Sequence, residues 1–516
     1  MANIFIKPKP LVLLIMDGVG VAPQGSANAV TLANTPNLDA LWPRYPHTYL
    51  YASGINVGLP HGVDGNSEVG HMNIGAGKII FQELPRIDNS INNGSFYKNK
   101  HLLDAFTRAE EHKVHLIGLV GAGQVHASFG HLLALIEMAR KLKVEKHKLM
   151  IHLFTDGRDS PPRGAFKIIE NLEIELRRDE IGHIASIIGR YYAMDRDERW
   201  DRTRLAYELI TEGKGAPVDN WRDALKQSYK KDVSDEYITP YLIGQNQEIV
   251  SKVESGDAVI FFNFRPDRAV QLTRAFEDPS FPGWERPVIN DLYFVGMSNY
   301  EKGFPYRVAF PPENIINPLG KVLSDNGLRQ LRLAESEKFP HVTYFMNGRN
   351  QKQYPGEDWV EVPSPRDVAT YDQKPEMSTY QITDFLIEKI RSDMYDFVVT
   401  NFANADMVGH TGVIDSTIKA MQVIDECIGR ITQEVLNKGG AVVISADHGN
   451  AEELVNQQTG QVDTKHSTNP VPLVIVKKDL EPREVSFGIL ADIAPTLIYL
   501  LGLPKPPEMT GRNLLA

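Results

Sequence analysis

Short apolar runs and amphipathic stretches alternate along almost the whole chain. VHLIGLVG, LMIHLFTDG, HIASIIGRYY, DAVIFFNF and DLYFVGMSN are runs of strand length, while HLLALIEMARKL, FKIIENLEIELRRD and DRTRLAYELI between them repeat apolar positions every three to four residues. LVLLIM near the start, and YDFVVTNF, AVVISADHG and PVPLVIV near the end, continue the series. Runs that are apolar throughout and end on Gly or a polar residue suit strands buried on both faces, and helices between them suit crossovers. The pattern predicts an α/β protein built on parallel sheets with helices on both faces.

Where these runs stop, reactive side chains follow. Asp17 ends LVLLIMDG, Ser67 lies in GNSEVGH, Asp406 and His410 in NADMVGH, Asp447 and His448 in ISADHGN, and His466 in KHSTNP. Polar strand ends beside Gly are where open α/β sheets place ligands. Asp17 and Ser67 fall in the first eighty or so residues and the other five after Asn401, so one domain made from both chain ends is expected, with a second α/β domain inserted. The Gly- and Pro-bearing stretches GAGK and AFPPEN suit the crossings, giving residues 1–77 with 314–516 for the first domain and 78–313 for the insert.

Asp406 and His410 are four apart and share a helical face, and His466 from a separate loop could complete a mixed N/O metal site. Asp447 and His448, where Gly449 lets the chain turn, could reach a second ion with Asp17, and Ser67 could add an oxygen. A serine hydroxyl polarised by one cation beside a second suggests phosphoryl transfer. Ser67 is also the expected N-cap of a helix, an anion-favouring position.

The middle of the chain carries a different set. Arg158 and Asp159 in TDGRDSPP, Arg190 and Arg196 in GRYYAMDRDERW, and Arg265 and Arg268 in FFNFRPDR each follow an apolar run. Planar guanidinium forks converging from three strand ends would hold a small polyanion. The bland alternative is that Asp159, Asp195 and Asp267 pair with the neighbouring arginines.

Composition narrows the partners. A formal charge of -11 without a Lys/Arg run argues against nucleic acid and against a polybasic membrane patch. Cys427 is the single cysteine, so no internal disulfide can form, and a reducing, cytoplasmic location is expected. No run reaches membrane-spanning length.

The segments LPHGVDGNSEVGHMNIGAG, TDGRDSPPRGA, GRYYAMDRDERWDR, FFNFRPDRAVQL, ESEKFPHVTYFMNG, NFANADMVGHTG, ISADHGNAE and KHSTNPVPLV resemble, in order, the motifs of the cofactor-independent phosphoglycerate mutases. The resemblance implies an alkaline-phosphatase-like metal domain from both chain ends and an inserted α/β phosphotransferase domain. It implies interconversion of 3-phosphoglycerate and 2-phosphoglycerate without 2,3-bisphosphoglycerate. Ser67 would become phosphoserine and share one Mn²⁺ with Asp17, Asp447 and His448, while Asp406, His410 and His466 would hold a second; Co²⁺, Zn²⁺ or Mg²⁺ also suit such donors. His126, Arg158, Asp159, Arg190, Arg196, Arg265 and Arg268 match substrate-binding positions, and Lys338 matches the lysine that approaches the phosphoryl group. Asp159 is the expected general acid/base. The family's run DGGVHSH reads AGQVHAS here, with Ala122 and Ser128 replacing an acid and a histidine around His126, and Pro85 stands where threonine is usual. A monomer acting on a small molecule, with closure of the two domains to exclude water, is the expectation. A phosphatase or phosphopentomutase of the same superfamily, or a non-catalytic metal- or polyanion-binding module, are the alternatives.

Overall fold

A computed structural model describes residues 7–244, 252–456 and 459–516. The chain divides into two compact units, one holding the residues up to Gln82 together with Glu313–Ala516, the other Glu83–Pro312. The first passage between them lies beyond the GAGK turn. Gly77, at φ 61°, ends the helix Ser67–Ala76 in the left-handed conformation, and the chain stays in the first unit because Ile80 N–H donates to Asn73 Oδ1 and Gln82 N–H to Gly58 O.

The first unit is an eight-stranded sheet in the order Glu357–Val362, Gln330–Glu335, Phe397–Phe402, Leu11–Met16, Ala441–Ser445, Val471–Val476, His47–Tyr51, Gly488–Ile489. Leu11–Met16, Phe397–Phe402 and Ala441–Ser445 are parallel neighbours and wholly buried, as their unbroken apolar runs predict. Their register pairs Met16 with Phe402 and Ile15 with Ser445, so the three strands end level. Asp17, the turn leading to Asp406, and Asp447–His448 therefore leave the sheet at one edge.

PVPLVIV departs from the expected parallel arrangement. Val471–Val476 runs antiparallel to both Ala441–Ser445 and His47–Tyr51. Its beginning, not its end, thus lies level with the ends of the central strands, and the loop before it delivers His466 to the same edge.

The second unit has its own eight-stranded sheet, in the order Arg307–Phe310, Tyr293–Ser298, Ala258–Phe261, Val114–Val120, Leu149–Thr155, His183–Gly189, Tyr241–Ile243, Ala216–Val218. Among the described residues, only the pairing of His183–Gly189 with Tyr241–Ile243 is antiparallel. Two runs are shorter as strands than their apolar length suggests. HIASIIGRYY turns into a helical segment at Arg190 and DAVIFFNF leaves the sheet after Phe261, in both cases where a guanidinium-bearing loop begins.

A buried ion pair fixes one flank of the first unit. Arg332, fully buried, donates from Nε to Glu357 Oε1 at 2.8 Å, and Asn347 and the Tyr354 amide donate to the same carboxylate. Arg332→Ala leaves Glu357 buried without its counter-charge and is expected to lower unfolding free energy by about 3–5 kcal/mol, measured by urea unfolding. A loss below about 1 kcal/mol would show that the amides alone satisfy Glu357.

Candidate active site

Ser67 stands at the centre of the edge described above. Asn66, not Ser67, is the N-cap of the helix Ser67–Ala76: its side chain accepts the Val69 amide, which places Ser67 as the first helical residue. The Ser67 hydroxyl is thereby left out of capping and is free to point inward. Gly70 lets this helix lie on the turn at Asp447, since a Cβ there would come within 2.6 Å of Asp447 O.

Around the hydroxyl the charges are dense. Ser67 Oγ lies 3.3 Å from Asp17 Oδ1, 2.9 Å from His448 Nε2 and 2.8 Å from Lys338 Nζ. The Lys338 ammonium also donates to Asp17 Oδ1 and Asp406 Oδ2, both at 2.6 Å, using its three protons on three oxygens. Asp17, Asp406 and Asp447 are at most 1% exposed. Burial, and then the charges of Asp447 and Asp406, push the Asp17 carboxyl above its ordinary range despite Lys338. For Asp406 burial acts the same way but is outweighed by Lys338, His410 and His466, which hold it well below that range. Asp447 is likewise held low, with His448 and His71 overcoming burial. Burial is outweighed by the surrounding carboxylates for Lys338 too, which is kept firmly protonated.

The imidazoles are presented as ligands. His410 Nδ1 lies 2.7 Å from Thr464 O, His466 Nδ1 2.8 Å from Gly65 O and His448 Nδ1 3.3 Å from Gly449 O. Donation of each Nδ1–H to a carbonyl turns every Nε2 inward, where the neutral ring offers a lone pair; before a cation binds, Asp406 pushes the pKa of His410 above its ordinary value and, against burial, that of His466 as well. The Nε2 atoms of His410 and His466 then face each other at 3.1 Å and face Asp406 Oδ1 at 3.3 and 3.4 Å. Lone pairs and a carboxylate oxygen turned on one point are a cation-binding donor set.

A second such point is formed by Asp17, Asp447 and His448, whose ligand atoms lie within 4.8 Å of one another, and His448 is also within this reach of Asp406 and His466. Asp447 Oδ2 is buried and makes no well-formed hydrogen bond, with His71 Nδ1 at 3.2 Å and His448 Nε2 at 3.4 Å as its nearest charged or chargeable neighbours. Mixed carboxylate and imidazole donors of this kind fit divalent transition ions.

Sequence reasoning passed over the residues that orient these ligands. Asn401 Nδ2 donates to Asp17 Oδ2 at 2.7 Å and lies 3.0 Å from His71 Nε2, while His71 Nδ1 donates to Ser67 O at 2.9 Å. Asn450 Nδ2 donates to Asp406 Oδ1 at 2.8 Å. His71 and Asn450 lie inside the quoted motifs GNSEVGH and ISADHGN, and Asn401 is a polar residue next to the end of the buried strand Phe397–Phe402, which was the available signal.

In the second unit the expected polyanion residues gather as ion pairs around one point. Arg190 Nη1 meets Asp159 Oδ2 at 2.5 Å and Asp156 Oδ1 at 2.6 Å. Arg196 and Arg265 both reach Asp267, at 3.1 and 3.0 Å, and Arg158 reaches Glu236 at 2.5 Å. Arg268 donates to Met194 O, and its guanidinium is pushed below its usual range by burial and by Arg196, Arg190 and Arg158. Ion pairing and crowding coexist here: Arg190 holds Asp159, Arg196 and Arg265 share Asp267, and Arg268 lies in the field of the other guanidiniums. His126 is 3.8 Å from Asp159 and 3.5 Å from Asp267, and burial together with Arg190 brings its pKa down to about 4. Asp195 pairs with the neighbouring Arg199 and with Arg202.

The fold and donor set define a metalloenzyme, and the Metalloenzyme superfamily matches residues 9–505. The 2,3-bisphosphoglycerate-independent phosphoglycerate mutase of Clostridium beijerinckii is 48% identical over 98% of this chain and 99% of its own length. Its counterpart from Acetivibrio thermocellus is 46% identical over 99% and 100%. A crystal structure of Leishmania mexicana phosphoglycerate mutase at low cobalt concentration matches with a TM-score of 0.54 and 32% identity, covering 99% of this chain and 98% of that one. The chain belongs to the 2,3-bisphosphoglycerate-independent phosphoglycerate mutase family.

One pH dependence follows from His126. Its folded pKa of about 4 lies below the ordinary 6.5, so between these values the unfolded chain binds more protons than the folded one. Stability is full above about 6.5 and is lost as pH falls toward 4. His126→Asn is expected to lose less stability than the native chain over that window, measured by urea unfolding at stepped pH. Equal losses would show that the ring charges freely in the folded protein.

Proposed function

We propose that this protein interconverts 3-phosphoglycerate and 2-phosphoglycerate, a step of glycolysis and gluconeogenesis, through phosphoserine at Ser67 and without 2,3-bisphosphoglycerate. The observation that carries the reading is the Ser67 hydroxyl held among Lys338, Asp17 and His448, in a chain whose relatives bear that activity in their names. Asp17, Ser67, Asp447 and His448 would hold one Mn²⁺, and Asp406, His410 and His466 another, with Co²⁺, Zn²⁺ or Mg²⁺ suited to the same donors. When bound, such ions draw charge from phosphoryl oxygens and favour the deprotonated serine.

The protein's own groups carry the rest. Arg158, Arg190, Arg196, Arg265 and Arg268 bind the carboxylate and phosphate of the substrate, and His126, neutral at pH 7, contacts it without adding charge. Ser67 Oγ, entering the step already deprotonated, attacks phosphorus in line as the bond to the glycerate oxygen breaks, Lys338 offsets the charge on the transferring group, and Asp159 enters the step protonated. Asp159 gives a proton to the departing oxygen. Glycerate turns, its other hydroxyl returns a proton to Asp159 and attacks the phosphoserine, and Ser67 is released. Water has to stay out between the two steps, because hydrolysis of phosphoserine would end the cycle. The unit that ends at Gln82 and resumes at Glu313 acts as the metal domain and Glu83–Pro312 as the substrate domain in this reading. It has the enzyme working as a cytoplasmic monomer on a small molecule, with no nucleic-acid or membrane partner.

Phosphorus NMR of Mn²⁺-loaded protein given 3-phosphoglycerate, with 2,3-bisphosphoglycerate absent, is expected to show 2-phosphoglycerate and no free phosphate. Free phosphate alone would make the protein a phosphatase, and Ser67→Ala with undiminished turnover would remove the phosphoserine. Asp159→Asn is expected to lower kcat by about 10²–10⁴-fold with KM little changed. An unchanged kcat would assign the proton transfers to another group.

A further inference from the structure

Asp156 lies three residues before the acid/base candidate Asp159 and is only 2% exposed, directly past the strand Leu149–Thr155. Its Oδ1 accepts Arg190 Nη1 at 2.6 Å and the amides of Arg158 and Asp159 at 3.3 and 3.1 Å. Its Oδ2 accepts the Ser160 hydroxyl at 2.7 Å. Ser160 Oγ in turn accepts the amides of Ala122 and Gly123, at 2.8 and 3.2 Å. The directions are forced, since amides only donate, an ionised carboxylate only accepts, and a hydroxyl has one proton and two lone pairs. Every hydrogen-bonding capacity of Ser160 Oγ is used.

Ala122 and Gly123 open the loop that carries His126. That loop lies tight on Asp156–Ser160: a Cβ at Gly121 would meet the side-chain atoms Asp156 Oδ2 and Ser160 Oγ at 2.6 Å, and one at Gly123 would meet the backbone Asp159 O at 2.1 Å. The next residue, Gln124, sits at φ 47°, a left-handed conformation that a side chain disfavours. A loop bearing such a residue holds its shape only if something outside it does so; its opening amides are held by Ser160, and its far end by the Phe264 and Arg265 amides, which donate to His126 O at 2.9 and 3.3 Å.

We propose that Asp156 and Ser160 are a positioning pair that fixes the distance between His126 and Asp159 and divides the Arg190 guanidinium between two carboxylates. Arg190 Nη1 touches both Asp156 and Asp159. Asp156 thereby keeps Arg190 from closing fully on Asp159, while Ser160 ties the His126 loop to the same anchor. Neither side chain needs to touch substrate. The inference rests on the mutase reading for its kinetic consequence, but its structural half stands apart from it.

The test pairs turnover with amide exchange in the Mn²⁺-loaded protein. Ser160→Ala is expected to lower kcat by about 10- to 100-fold with KM within about threefold, because the catalytic groups shift while the anion-binding arginines keep their own partners. Ser160→Thr, which restores the hydroxyl, is expected to recover kcat to within about threefold of the native protein. In Ser160→Ala and Asp156→Asn the Ala122 and Gly123 amides are expected to exchange faster than in the native protein, with the amides of the strand Leu149–Thr155 unchanged. Native-like exchange at Ala122 and Gly123 in both variants overturns the anchoring whatever the activity of the protein. Faster exchange with native kcat, or loss of kcat that Ser160→Thr does not restore, overturns the positioning role. Absence of 2-phosphoglycerate from the native protein overturns the mutase reading and leaves the exchange result to decide the anchor.

Discussion

Three carboxylates buried around one serine hydroxyl are the constraint on which the rest of the first unit depends. At about 4 Å and an effective dielectric of about 20, each close pair of like charges costs about 4 kcal/mol, so Asp17, Asp406 and Asp447 stay together only if cations are brought to them. Lys338 supplies one positive charge and spends all three of its protons on this cluster. The Nε2 lone pairs of His410, His448 and His466, aimed inward by carbonyls behind each ring, prepare the site for more. The arrangement favours bound cations, and the same field that holds cations would receive a phosphoryl group on Ser67.

Sheet register makes this convergence possible. Three strands that end level put Asp17, Asp406 and Asp447–His448 at one edge, and one reversed strand returns His466 to it. Helix Ser67–Ala76 packs down onto that edge through Gly70, and its cap falls on Asn66, which frees the neighbouring hydroxyl. Asn401 and His71 then link Asp17 to the Ser67 backbone, so the nucleophile and its ligands share one hydrogen-bonded frame. The second unit repeats the principle with opposite charge, since Arg190, Arg196, Arg265 and Arg268 all leave strand ends and crowd until burial and mutual repulsion lower Arg268.

Much of this was legible in the sequence because strand ends, apolar runs and reactive residues announce themselves locally. The seven residues Asp17, Ser67, Asp406, His410, Asp447, His448 and His466 could be grouped from their positions at the ends of buried runs or beside Gly. The reversed direction of Val471–Val476 could not, because an apolar run carries no sign of which way its neighbours point. The cap at Asn66 escaped for a related reason: asparagine and serine are equally good caps, and only the Asn66 side chain reaching the Val69 amide decides between them. Asp156, His71, Asn401 and Asn450 were missed because their work is done on other residues' side chains, a relation that exists only once distant segments are folded together.

The central claim is that Ser67 takes up the phosphoryl group in the field of bound cations. It is tested most directly by acid-quenching the protein during turnover of 3-phosphoglycerate, with and without Mn²⁺, and locating phosphate by peptide mass spectrometry. The account predicts phosphate on Ser67 in the Mn²⁺-loaded sample and none in the metal-free one. Phosphate on another residue, or on Ser67 irrespective of metal, would contradict it.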